Sequence, residues 1–220
     1  MTVLPPVISA IREGEVTLRP IRLRDSRQLE RVLLDNRGWL RKWEASHPQG
    51  TFSINARVSI RNLLRYAREG YGVPFIVEYR GLLVGQLNVS SIVHGSMSSA
   101  NIGYWIAQEY AGRGITPVAV ALATDYCFGT AGLHRVEICI RPENKPSLRI
   151  VEKLGFRYEG LRRRYIHIAG SWCDHFAFAL CAEEVPGGVL HRWLSGEVPM
   201  DVARVPDADR VAAGHPLPVV

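Results

Sequence analysis

The sequence predicts an α+β domain built on a mixed, mostly antiparallel central sheet of six to seven strands flanked by about four helices. Residues 74–80, 82–93 and 100–107 are successive β-branched or aromatic runs, and the junctions at Arg80-Gly81 and 94–99 supply the turns of an antiparallel meander. After them helix-like and strand-like stretches alternate (116–128, 135–141, 145–154), an order that lays two strands side by side. Two last runs, 156–168 and 173–181, turn through Ala169-Gly170-Ser171 as a closing hairpin.

Taken in order, residues 15–20 alternate as a strand, and Leu29, Val32 and Leu33 mark a helix over 24–34 opened by Asp25. The stretch 36–53 is rich in turn formers yet carries Trp39 and Trp43, so it is expected as a substrate-facing lid. A second helix should run from about Asn55 to Arg68, closed by Gly70. In the long helix 116–128, Pro117 sits in the first turn, where a missing N–H costs little, and Val118, Leu122 and Tyr126 line one side. The short helix 145–154 presents Leu148, Val151 and Leu154 and stops at Gly155. Beyond Pro186, glycines and prolines interrupt every period, leaving only one or two helical turns in 189–194. The expected organisation is an N-terminal arm over 1–14, one domain over 15–184, and a C-terminal tail over 185–220 that is mobile or serves as an oligomer arm in a homodimer.

With 47% hydrophobic and 22% charged residues the composition is that of a globular protein, and no apolar run reaches the roughly 20 residues of a membrane helix. The first fourteen residues are broken by Pro5 and Pro6 and have no basic residue before their apolar stretch, a poor secretory signal, so a cytoplasmic location is expected. Cys127, Cys139, Cys173 and Cys181 form no C-x-x-C pair and lie within predicted helices or strands; they read as reduced core thiols rather than metal ligands, and no metal is expected. A net charge of +6 suits a nucleic-acid partner and an anionic coenzyme equally well. The densest basic run, Arg162-Arg163-Arg164, reads as a solvated strand end or turn, so direct nucleic-acid binding is not expected.

The chemistry is carried by the junction between the strand ending at Trp105-Ile106-Ala107 and the long helix. There the chain reads Ala111-Gly112-Arg113-Gly114-Ile115-Thr116. Unpaired N–H groups and the positive end of the helix dipole face such a loop, and glycine lets a diphosphate approach the backbone, with Arg113 as a mobile counter-charge. Taken alone the loop is equally a tight turn that needs glycine torsions. A second element, Asn144-Lys145-Pro146-Ser147, opens the short helix and leads into Glu152-Lys153-Leu154-Gly155-Phe156.

By the order and spacing of these two elements, residues 15–184 resemble the GNAT superfamily of N-acetyltransferases, in particular its ribosomal-protein N-terminal (RimJ/RimL-like) branch. The superfamily's acyl-CoA loop is usually R/Q-x-x-G-x-G/A; here Ala111 and Thr116 depart at the outer positions while Gly114 keeps the inner glycine. The resemblance implies a sheet splayed at the cofactor site and acetyl-CoA as co-substrate, bound at Ile106, Ala107, Gly112, Arg113, Gly114, Ile115, Thr116 and Asn144. It places Asn144 near the pantetheine arm and Ser147 where a hydroxyl can protonate the departing thiolate. The same two residues also suit an N-cap and a polar first turn.

An amine must be neutral to attack a thioester. An α-amino group titrating near about 8 needs only a modest base, whereas a lysine near about 10.4 needs far more help. Glu109, Glu137 and His134 are base candidates, each equally read as a solvated or ion-paired side chain. Direct transfer in a ternary complex is expected, because no cysteine has a nucleophile-and-base setting; Cys139 is the thiol closest to the motif in sequence. Trp39 and Trp43 either shape the amine pocket or, four apart, pack as one helix face. A protein N-terminus is the first-choice acceptor, and Asp35 and Glu44 set against Arg37, Arg41 and Lys42 disfavour a strongly cationic small amine. Aminoglycosides, polyamines or amino acids are the alternatives within the enzyme class. Outside it stand a non-catalytic acyl-CoA-binding module and a basic ribosome-binding module.

Overall fold

In the computed structural model, residues 9–50 and 55–213 are described; residues 1–8 of the expected arm, 51–53 of the expected lid with residue 54, and 214–220 of the tail lie outside them. One sheet of eight strands runs through the molecule: β1 (Ile11–Glu13), β2 (Val16–Pro20), β3 (Gly72–Tyr79), β4 (Leu82–Val93), β5 (Ser99–Ile106), β6 (Arg135–Ile140), β7 (Arg157–Ile168) and β8 (Ser171–Cys181), in the order β1-β2-β3-β4-β5-β6-β8-β7. The expectation of six to seven strands falls short because Ile11–Glu13, counted with the arm, pairs with β2 as an edge strand. Every neighbouring pair is antiparallel except β5 and β6, which run parallel.

Seven helices accompany the sheet among the described residues: α1 (Ser26–Asp35), α2 (Arg37–Leu40), α3 (Ala56–Arg68), α4 (Ile115–Asp125), α5 (Lys145–Leu154), α6 (Val189–Leu194) and α7 (Asp207–Ala213). The expected four are α1, α3, α4 and α5, and α6 is the one or two turns expected at 189–194; α2 and α7 are too short for a 3.6-residue period to show. α3 starts where Asn55 accepts the N–H of Val58, and a π-helical turn, 126–130, continues α4. On one face of the sheet α4 buries Ile115, Ala119, Val120 and Ala123 against β2, β4 and β5 within the larger core. On the other, Leu29 of α1 and Ile60 of α3 close a smaller core with Ile76 and Leu83.

Two regions differ from the sequence reading. Arg162-Arg163-Arg164 lies inside β7 at a register shift rather than at a strand end: Arg162 pairs with Glu137, Arg163 with Asp174, and the Arg164 N–H donates to Asp174. The segment after Glu184 is built into the domain: Val185, Val189 and Val205 join the main core, and α6 packs on α4 and α5. No helix among the described residues is long and apolar enough to cross a membrane.

Candidate active site

The parallel strands β5 and β6 share only the pairs Ser99–Arg135, Ala100–Val136 and Asn101–Glu137, after which they part. The gap opens toward the C-terminal ends of both strands, where each hands the chain to a helix N-terminus. Ala107 donates its N–H to Val84 O on β4 at 2.8 Å; backbone groups alternate sides along a strand, so those of Ile106 point the opposite way, into the gap. A cavity of about 770 Å³ fills the opening, a size within the usual range for small-molecule sites.

On the β5 side the chain makes a short turn over Gln108–Tyr110 and enters the glycine loop. Gly112 and Gly114 both have φ of +79°, the left-handed region that glycine tolerates. The N–H groups of residues 112–116 have no acceptor among the described residues, so they and the start of α4 form a cradle for an anion. Gly112, Gly114, Ile115 and Thr116 line the cavity, whereas Arg113 does not: its guanidinium lies 5.3 Å from the Tyr110 ring centroid. Ala107 is buried behind the strand and also does not line it.

On the β6 side Asn144 caps α5, accepting the Ser147 N–H through its Oδ1 at 3.3 Å. Ser147 in the first turn holds its Oγ 2.6 Å from the hydroxyl of Tyr104 on β5, so this pair bridges the two strands across the gap. Burial pushes the Tyr104 phenol up, which keeps it protonated. Lys145, Arg149 and Lys153 follow at i, i+4 and i+8 on α5 and line the same cavity.

The third wall is a strap, residues 36–46, that crosses the mouth of the gap. At the β5 end the Trp39 Nε1–H donates to Ile106 O at 3.2 Å and the Gln108 N–H to Asn36 Oδ1 at 2.7 Å. At the β6 end Arg141 donates to Lys42 O at 2.9 Å and lies 5.7 Å from the Trp43 centroid. Ser46 then bonds His167 on β7. Trp39 and Trp43 both line the cavity, and they do not share a helix face, since α2 ends at Leu40.

The base candidates fall elsewhere. Glu109 is exposed in the turn after β5, His134 pairs with Glu183 at 2.9 Å, and Glu137 sits between Arg135 at 3.1 Å and Arg162 at 2.6 Å; none of the three lines the cavity. The carboxylate that does is Glu143, 3.2 Å from Arg141. Cys139 lies beside Glu137 and Arg162, and burial pushes its thiol up to about 12, so it is protonated at neutral pH. Sequence reasoning missed Tyr104, Glu143 and the cationic stripe of α5. The stripe was readable from its four-residue spacing; the Tyr104–Ser147 contact needed the register of β5 against β6.

Residues 15–157 match the family described as the acetyltransferase (GNAT) domain. Among curated relatives, a ribosomal protein uS5-alanine N-acetyltransferase of Escherichia coli is 30% identical, covering 78% of this chain and 91% of that protein. A spermidine N(1)-acetyltransferase of the same organism is 28% identical over 71% of this chain and 81% of its own. The structure of Mycobacterium smegmatis RimJ in complex with CoA-disulfide superposes with a TM-score of 0.76 at 37% identity, covering 83% of this chain and 89% of that one. With the family match spanning more than half its length and carrying the strands, loop and strap that frame the gap, the chain belongs to the GNAT family of acetyltransferases.

Proposed function

We propose that this protein transfers the acetyl group of acetyl-CoA to the N-terminal α-amine of a protein, by direct attack in a ternary complex. Membership of the family makes the chain an acetyl-CoA-dependent N-acetyltransferase; the choice of a protein N-terminus is the finer reading. The observation that carries the chemistry is the gap between β5 and β6, with free N–H groups at one end and the Tyr104–Ser147 pair across it.

Acetyl-CoA brings an activated acyl carbonyl; the chain must hold its anionic end, orient the carbonyl and protonate the departing sulfur. The free N–H groups of residues 112–116 and the ammonium and guanidinium groups of Lys145, Arg149 and Lys153 suit the phosphates. The Ile106 N–H faces the gap, where a donor can polarise a carbonyl without a side chain. Tyr104, kept protonated, donates to the Ser147 oxygen and leaves the serine's own proton directed at the leaving thiolate. As the amine nitrogen bonds to the acyl carbon the C–S bond breaks and the sulfur takes the serine's proton; the proton that the nitrogen sheds passes to water or to Glu143, and the serine regains one from water. Protonated Cys139 suits transfer without an acyl-enzyme.

Two facts favour an α-amine over a polyamine. Glu143 is the one carboxylate among the described lining residues and already has Arg141 beside it, so nothing there neutralises a polycation. An α-amine also has enough neutral form at pH 7 to need no dedicated base. The relative named for ribosomal protein uS5-alanine supports this acceptor, and the reading places the reaction in the cytoplasm. Isothermal titration with acetyl-CoA, followed by thiol release against peptides with free N-termini, spermidine and an aminoglycoside, tests it. Binding with release on the peptides is expected; release on the small amines alone would overturn the protein acceptor, and absence of binding would overturn the site.

A further inference from the structure

We infer that the acceptor carries negative charge just behind its reactive amine: an N-terminus with acidic side chains in its first few residues, read by Lys42. The inference rests on the proposed protein acceptor and goes further by giving its chemistry. Five lining cations, Lys42, Arg141, Lys145, Arg149 and Lys153, face one lining carboxylate. They fall into two groups. The α5 stripe continues from the Asn144 cap on the helix opposite the glycine loop and is suited to the coenzyme's phosphates. Lys42 and Arg141 belong to the strap end, around Trp43, on the far side of the gap from that loop.

Of the cations in and against the strap, two have carboxylate partners, while Arg41 and Lys42 have none among the described residues, and of these last two only Lys42 lines the cavity. Arg37 is paired with Glu44, and Arg141 with Glu143. The Lys42 ammonium has no carboxylate partner among the described residues; it rests 5.7 Å from the Trp39 ring centroid and 4.9 Å from that of Trp43. Both indoles are themselves fixed, one by Ile106 O and the other by Arg141. A cation held against two fixed rings gives up less side-chain freedom when an anion binds than a free surface lysine does. It also repels an incoming polycation, which makes the strap a filter that works in both directions.

The test uses the full chain with saturating acetyl-CoA and three peptides sharing one N-terminal residue, with acidic, neutral or lysine residues at positions two to four. Lys42 is exposed, so its variants leave the fold in place. The expected kcat/KM favours the acidic over the neutral peptide by about fivefold, the worth of one exposed ion pair, and the advantage shrinks in high salt. Lys42→Gln should abolish the preference with acetyl-CoA affinity kept, and Lys42→Glu should reverse it. Equal rates on the three peptides, or a preference that survives Lys42→Gln, overturn the inference while the protein acceptor stands. Lost acetyl-CoA affinity in Lys42→Gln overturns it too, by giving the ammonium to the coenzyme. Turnover of spermidine with none of the peptides sinks the protein acceptor itself.

Discussion

Ser147 shows how one side chain serves two levels of structure. Its N–H is held by the Asn144 cap, which fixes where α5 begins; its hydroxyl is held against that of Tyr104, which ties α5 to β5 across the gap. Removing the hydroxyl should therefore leave the helix and the coenzyme site in place but remove the proposed proton donor. Ser147→Ala is expected to lower kcat by about a hundredfold with acetyl-CoA affinity little changed. Tyr104→Phe keeps the ring and loses one hydrogen bond, for a fall of about tenfold. Thiol-release kinetics beside acetyl-CoA titration separate the two quantities, and an unchanged rate in Ser147→Ala would reduce the serine to a first-turn residue. Asn144, Ser147 and the two glycines were legible as local motifs. Tyr104 was not: period two assigns it a face of β5, but not the partner that the parting of two parallel strands sets opposite it.

At the scale of elements, the site is made by two helix starts and one strap. The glycine loop and α5 announce themselves through caps, glycines and period. The strap does not, because it holds its place by bonds to β5, to β7 and to Arg141 just past β6 rather than by a pattern of its own. The loop at the start of α4 can be tested apart from the fold. A Cβ at Gly114 would meet nothing within 4 Å, so its cost is the φ of +79°, about 1–2 kcal/mol. Gly114→Trp should thus fold, with its indole over the N–H cradle, and acetyl-CoA affinity should drop by at least about tenfold, the worth of losing one or two charge-assisted hydrogen bonds. Gly132→Trp is the matched control, since Gly132 also has positive φ and open space around it but lies outside the cavity. Equal affinity in the two variants would remove the diphosphate from this loop.

For the whole molecule, the main departure from the sequence reading is the segment after Glu184. Its prolines and glycines break every short period, and that pattern describes a mobile tail as well as a docked one, because docking depends on single residues far apart. Val185, Val189 and Val205 drop into the core, and Asp125 on α4 accepts the N–H groups of Val189 and Leu190 at 2.6 and 3.1 Å, which caps α6. Arg192 donates to Leu154 O at 2.6 Å and so closes the C-terminus of α5, the helix whose other end holds Asn144 and Ser147. Tyr158 on β7 then ties down the rest, donating to Asp209 while its N–H reaches Val202 O. The tail is therefore a buttress behind α5. Ending the chain at Glu184 should cost roughly 4 kcal/mol from the valines alone and lower Tm by about 10 °C. Asp125→Ala, which keeps the chain intact and removes only the cap of α6, should cost about 1–2 kcal/mol and shift Tm by a few degrees. A mobile tail would leave Tm unchanged in both. Because α5 carries the serine at its start, the truncated chain should also lose more kcat than acetyl-CoA affinity, and a fall in Tm with unaltered kcat would show that the buttress stabilises the fold without aligning the site.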